Sequence, residues 1–290
     1  VVHVRVIGGL EVVVDGEPVP LPEAARAWAL LAWLAVHPGQ HSRADLAGRL
    51  RPDVPQESAR KSLRQAAWSL RAALEGRAPD VLAGTRERIG LDPGVEVDLV
   101  RMRRLRAEGR LEEAAAILGG ELLPGLDEEW AIRAREEHRA EEADLLERLA
   151  AAAEREGRAA DAIAWTRRRI AADPLAEGAH RDLMRRLAAA GERSSALGAY
   201  EALRGALRRE LGTLPSPETR ALAEDLRRGA APAADEAPAP SAPRPGAGDA
   251  GPARIPAPLV RDGPLVGRDE ATRRLGEELA ASRAGAPRVV

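Results

Sequence analysis

The chain has 290 residues and a formal net charge of −2, so no overall balance draws it to nucleic acid or to a membrane surface, and any such contact must rest on a local patch. It has no cysteine, which excludes a disulfide framework, thiolate metal sites and a cysteine nucleophile, and its five histidines (His3, His37, His41, His138 and His180) are not spaced as metal ligands. With no run of about 18 apolar residues and no signal peptide at its start, a cytoplasmic location without membrane contact is expected.

Residues 1–20, "VVHVRVIGGLEVVVDGEPVP", alternate apolar and polar around Asp15-Gly16, which predicts a short antiparallel sheet. The stretch from Pro22 to His37 is densely apolar and predicts a helix buried on most sides, stopped by Pro38-Gly39. Ser42 stands three residues before Asp45, a start signal resembling a capping box, for a short helix running to Leu50.

Next comes "SARKSLRQAAWSLRAAL" (58–74), helical by its period. At about 100° per residue, Ala59, Leu63, Ala66, Ala67, Leu70 and Leu74 share one side, and Arg60, Lys61, Arg64, Trp68 and Arg71 share the other. Lys61 is the sole lysine of the chain, and no acid falls between Arg60 and Arg71. Such a face is ordinarily only solvated surface. The neighbouring text changes that reading: "VLAGTRERIGLDP" (81–93) reads as a hairpin with Arg86 and Arg88 at its tip. Strands, three helices and a hairpin make the order of a winged helix, in which the third helix enters the major groove and the wing reaches the minor groove or backbone. Arginine suits phosphate and guanine alike because its planar fork grips either bidentately. Trp68 either stacks on sugar or a thymine methyl, or packs against the first helices.

From Val97 to about Arg228 the pattern is almost wholly helical and it repeats. "GRLEEAAAIL" (109–118), "GRAADAIAWTRRRIAADP" (157–174) and "GERSSALGAYEALRGAL" (191–207) share a glycine start and an alanine five residues on. Gly157 and Gly191 are 34 residues apart, the tetratricopeptide period, whereas Gly109 lies 48 residues before Gly157. Trp165 and Tyr200 are expected between helix pairs, Trp130 in the core and His138 on a helix surface. The acids of "DEEW" do not make a hydrolase, having no companion motif, glycine cradle or metal cluster. Residues 229–264, dominated by Ala, Pro and Gly, read as a flexible linker.

Residues 2–228 resemble the actinobacterial antibiotic-regulatory activators, the SARP/AfsR-type transcription factors. The resemblance rests on "VRVIGGLEVVVDGEPVPL", on "SARKSLRQAAWSLRAAL" in the recognition-helix position, on "GVEVDLVRMRRL" at a domain junction, on "GELLPGLDEEW" (120–130) and on "ELGTLPSPETRAL" (210–222). It implies a mainly α protein: a winged helix of the response-regulator effector type over 1–97, then a TPR-like bacterial transcriptional activation domain over 98–228. It also implies double-stranded DNA and RNA polymerase as partners, tandem repeats as operators, head-to-tail self-association on DNA, and control of a secondary-metabolite or related pathway. Arg60, Lys61, Arg64, Trp68, Arg71, Arg86 and Arg88 are the expected DNA-binding residues; no enzyme activity, metal or cofactor is expected. A fragment ending near Asp98 is expected to bind DNA weakly without activating. The alternative is an interaction or signalling module with TPR-like repeats and a drifted winged helix. "LVGRDEATRRLGEELA" (265–280) resembles the opening of the ATPase domain found in larger family members, and 265–290 reads as the start of such a domain, truncated before its phosphate loop. Without a Walker lysine, no ATP binding or hydrolysis is expected.

Overall fold

Alternation of Val4, Val12 and their polar neighbours folds the first residues into three antiparallel strands, β1 (Val2–Arg5), β2 (Glu11–Val14) and β3 (Glu17–Val19). The β2–β3 turn has positive φ at both Asp15 and Gly16, the geometry that an Asp-Gly pair favours in a two-residue hairpin. The computed structural model describes residues 1–20, 25–78 and 80–229. The linker and ATPase expectations therefore fall, beyond Gly229, outside the described residues.

Helix α1 (Ala25–Val36) is buried along its whole second half, from Leu30 to Val36, as its unbroken apolar text requires. A two-residue strand β4 (His41–Ser42) leads into α2 (Arg43–Leu50), where the Ser42 hydroxyl accepts the Asp45 N–H at 3.4 Å. Helix α3 (Gln56–Leu74) buries Ala59, Leu63, Ala66, Ala67, Leu70 and Leu74, the side its period marks as apolar. The hairpin of β5 (Leu82–Gly84) and β6 (Arg88–Leu91) joins β4 in a second sheet ordered β4-β6-β5. Strand β7 (Val95–Val97) then returns to pair parallel with β1, giving the first sheet the order β3-β2-β1-β7.

Seven helices follow: α4 (Asp98–Ala107), α5 (Leu111–Ile117), α6 (Glu129–Arg155), α7 (Ala159–Ala172), α8 (Glu177–Ala189), α9 (Arg193–Glu210) and α10 (Pro217–Arg228). The three repeated glycines have one structural job. Gly109, Gly157 and Gly191 each follow the end of a first helix in the left-handed region, and the next residue donates its N–H back to Leu105, Ala153 and Leu187 respectively. This is the Schellman turn that closes α4, α6 and α8 and starts α5, α7 and α9. The longer first interval is explained by α6, which runs for 27 residues, and by the segment 118–128 before it.

That segment fastens the helical part to the first sheet. Gly8 donates to the Glu121 carbonyl and Leu123 donates to the Val6 carbonyl, both at 2.8 Å, around a bridge between Ile7 and Leu122. The backbones meet so closely that a Cβ on Gly8 would lie 2.8 Å from the Gly119 oxygen. Beside this bridge the Asp98 carboxylate accepts the N–H groups of Val6, Ile7 and Leu99. One hydrophobic core consequently runs from Val4 through α1, α3 and α4 to Leu149, with Trp130 and Trp165 partly buried against it. A second core gathers Ile163, Met184, Leu187, Tyr200 and Leu226.

One expectation is corrected. His138 is 1% exposed, not a surface residue. It lies on the inner stripe of α6 with Ala131, Ala134 and Leu145, at heptad spacing from Ala131 and Leu145, and the charged residues flanking it in sequence occupy the outer face. Its ring nitrogens have no hydrogen-bond partner among the described residues, and burial depresses its pKa.

Candidate nucleic-acid interface

Helix α3 is held by its apolar side, so the opposite side is presented outward. Arg60, Lys61, Arg64, Trp68 and Arg71 are all exposed there, Trp68 to 64%. The indole is thus free of the packing role that the sequence left open. Arg86 lies at the hairpin tip as expected, while Arg88 is already the first residue of β6; the tip is shaped by Thr85, whose hydroxyl accepts the N–H groups of Glu87 and Arg88.

Helix and hairpin enclose a groove of about 490 Å³ lined by Ser42, Arg43, Ala44, Arg60, Leu63, Arg64, Arg86 and Glu87. The fold therefore brings Arg60, Arg64 and Arg86 together. It does not place Lys61, Trp68, Arg71 or Arg88 among the lining residues of that groove. Arg88 is partly committed elsewhere, donating through Nη2 to the Gln40 carbonyl at 3.0 Å and so tying the wing to the turn before β4.

Arg43 was missed by reading the sequence. Its Nε donates to the Thr85 carbonyl at 2.9 Å, and its backbone N–H donates to the Glu87 carbonyl at 2.8 Å. Burial, and then the nearby Arg71, hold its guanidinium below the usual arginine range. A signal was present: a cation in the first turn of α2 opposes the helix dipole, a placement that helix stability alone does not favour.

Cations gather here without acidic partners. Among the described residues Arg60, Lys61, Arg64, Arg71 and Arg86 make no ion pair. Many arginines of the helical part do: Arg103 with Glu141, Arg110 with Glu113, Arg158 with Asp161, Arg169 with Glu147 and Asp182, and the nearly buried Arg186 with Glu147 and Glu154.

Residues 98–227 match the family described as the bacterial transcriptional activator domain. Over those residues the chain is similar to a bacterial transcriptional activator domain. In the fold just described, this activator domain comprises α4 to α10, and Asp98, the first residue of α4, accepts the N–H groups of Val6 and Ile7 just after β1. Among solved structures the chain is similar to Mycobacterium tuberculosis EmbR, seen in complex with a low-affinity phosphopeptide, with a TM-score of 0.59 and 26% identity. The match covers 79% of this chain and 65% of the EmbR chain. It extends beyond the activator domain, and the winged-helix-plus-activator plan of the antibiotic-regulatory proteins is borne out. No curated protein sequence matches the chain.

Proposed function

We propose that the protein is a transcriptional activator that reads double-stranded DNA with α3 and the wing and recruits RNA polymerase through the activator domain. The observation that carries this reading is the convergence of Arg43, Arg60, Arg64 and Arg86 on one groove, none of them with an ion-pair partner among the described residues. A groove that neutralises phosphates needs unpaired cations at fixed spacing, and a winged helix drifted from DNA would have no use for them. In this reading Arg60 and Arg64 reach base edges, Lys61 and Arg71 meet phosphate at the flanks, and Trp68 stacks on sugar or a thymine methyl. Arg86 is the wing's contact, and Arg88 divides its donors between the wing's own support and the backbone. Residues 1–97 act as the reader and 98–228 as the activating part. Two copies bind head to tail on tandem repeats, upstream of genes for a secondary-metabolite or related pathway.

The test is a salt titration of DNA affinity. Alanine at Arg60, Arg64 and Arg71 should flatten the dependence of log K on log salt by about one unit for each phosphate left without its cation, and removal of a bidentate grip on a base should cost about 1–3 kcal/mol. Unchanged affinity and slope in the triple variant would assign the reader elsewhere.

A further inference from the structure

The wing is fastened to one short stretch of chain, the turn before β4, β4 itself and the first residue of α2. His41 and Ser42 pair with Ile89 and Arg88, and Arg88 Nη2 donates to the Gln40 carbonyl. Arg43 makes the ties nearest the tip. Its backbone N–H donates to the Glu87 carbonyl and its side-chain Nε to the Thr85 carbonyl. Thr85 and Glu87 flank Arg86 in sequence, so the two ties bracket the residue that the wing presents.

The bond from Nε uses only one edge of the guanidinium. The donors on its two terminal nitrogens have no hydrogen-bond or ion-pair partner among the described residues. Arg43 lines the same groove as Arg60, Arg64 and Arg86, and Arg71 on α3 adds its charge to the field there. The one acid among the lining residues, Glu87, makes no ion pair among the described residues. A half-buried guanidinium fixed at one edge, open at the other and facing further cations is arranged to receive an anion.

The proposed function, on which this inference rests, says which anion. With α3 in the major groove, the helix before it crosses the sugar-phosphate backbone, and α2 begins beside the wing. We propose that Arg43 is a clasp between wing and DNA: its Nε holds the Thr85 carbonyl while its terminal nitrogens grip a backbone phosphate. One planar fork can do both, because its donors point in fixed and different directions. Gripping the phosphate and placing Arg86 are thereby joined in one side chain.

The test is an anisotropy titration of a labelled mixed-sequence DNA duplex with the 290-residue chain at several salt concentrations, since phosphate contacts do not depend on sequence. Arg43→Gln should flatten the slope of log K against log salt by at least about 0.9, the value of one phosphate contact. Arg43→Lys should recover only part of the lost affinity, staying about three- to tenfold weaker than the parent, because one ammonium cannot serve carbonyl and phosphate together. Arg86→Gln should cost less in the Arg43→Gln background than alone, since the wing there has already lost its place. An unchanged slope in Arg43→Gln would make Arg43 a support of the wing alone. Parental affinity in Arg43→Lys would show that a bare charge suffices, and additive losses would separate Arg43 from Arg86. Each of these results overturns the proposal and leaves the proposed function standing, whereas no duplex binding by the parent chain overturns both. Should melting curves show Arg43→Gln unfolded, Arg43→Lys decides alone.

Discussion

Asp98 shows how much a single side chain can hold. It starts α4, and its two oxygens take three backbone N–H groups, two of them from the strand end at Val6 and Ile7. Burial pushes its carboxyl above the ordinary carboxylate range, and those N–H bonds and Arg5 pull it part of the way back. Asp98→Ala strands the N–H groups and should cost about 1–3 kcal/mol. In a chain of this size that lowers the melting temperature by several degrees, at about 2–4 °C per kcal/mol; Asp98→Asn, which keeps an acceptor, should lose less. The buried and half-buried histidines give a second measurable effect. His37, His138 and His180 all have pKa values lowered by burial from the usual 6.5, so each binds its proton more readily once unfolded. Their share of stability is fully present above pH 6.5 and is lost as the pH falls from there towards the folded-state values. Melting curves between about pH 7.5 and 5 should show this decline, and His138→Leu should make it shallower; an identical pH profile would remove His138 from the account. The helical period alone assigned the two sides of α3, whereas Arg43 and His138 eluded inspection because their surroundings come from other parts of the chain. Arg43 is defined by a wing some forty residues downstream, and His138 by the packing of α6 on its neighbours.

Turns and hairpins were readable where their chemistry is local. Asp15-Gly16 made its turn, Ser42 capped α2, and three glycines closed three helix pairs. The segment 118–128 was not readable, because it makes its pairings with Val6, Ile7 and Gly8 and carries no period of its own. The wing illustrates a local requirement with a distant effect. Gly84 has φ +143°, and a Cβ there would lie 2.3 Å from the Arg88 carbonyl oxygen. Gly84→Ala should therefore strain or open the hairpin, at about 1–3 kcal/mol. Amide exchange should rise at Thr85 and Arg88, and DNA affinity should fall because Arg86 leaves the groove; retained protection and affinity would show that the tip tolerates another geometry.

Cutting the chain at Asp98 passes through a shared core. Leu99, Met102, Leu105, Leu122 and Leu123 are all buried in the same cluster as Val4, Leu30 and Leu70. A 1–98 fragment is deprived of these partners and should melt without cooperativity; a sharp transition in the short fragment would show that the winged helix closes its own core. Substitutions, rather than truncation, are therefore the cleaner way to separate binding from activation. The bridge between Val6–Gly8 and Glu121–Leu123 has one further consequence, under the proposed function. Reader and activator domain are joined by backbone hydrogen bonds and common packing, with no slack between them, so the azimuth of the bound reader around the duplex sets the direction in which the activator domain faces. Inserting about five base pairs between operator and promoter, half a helical turn, should silence transcription, and inserting about ten should restore much of it. The protein would behave as a bracket bolted to one side of a rod, useful only when the promoter lies on that side.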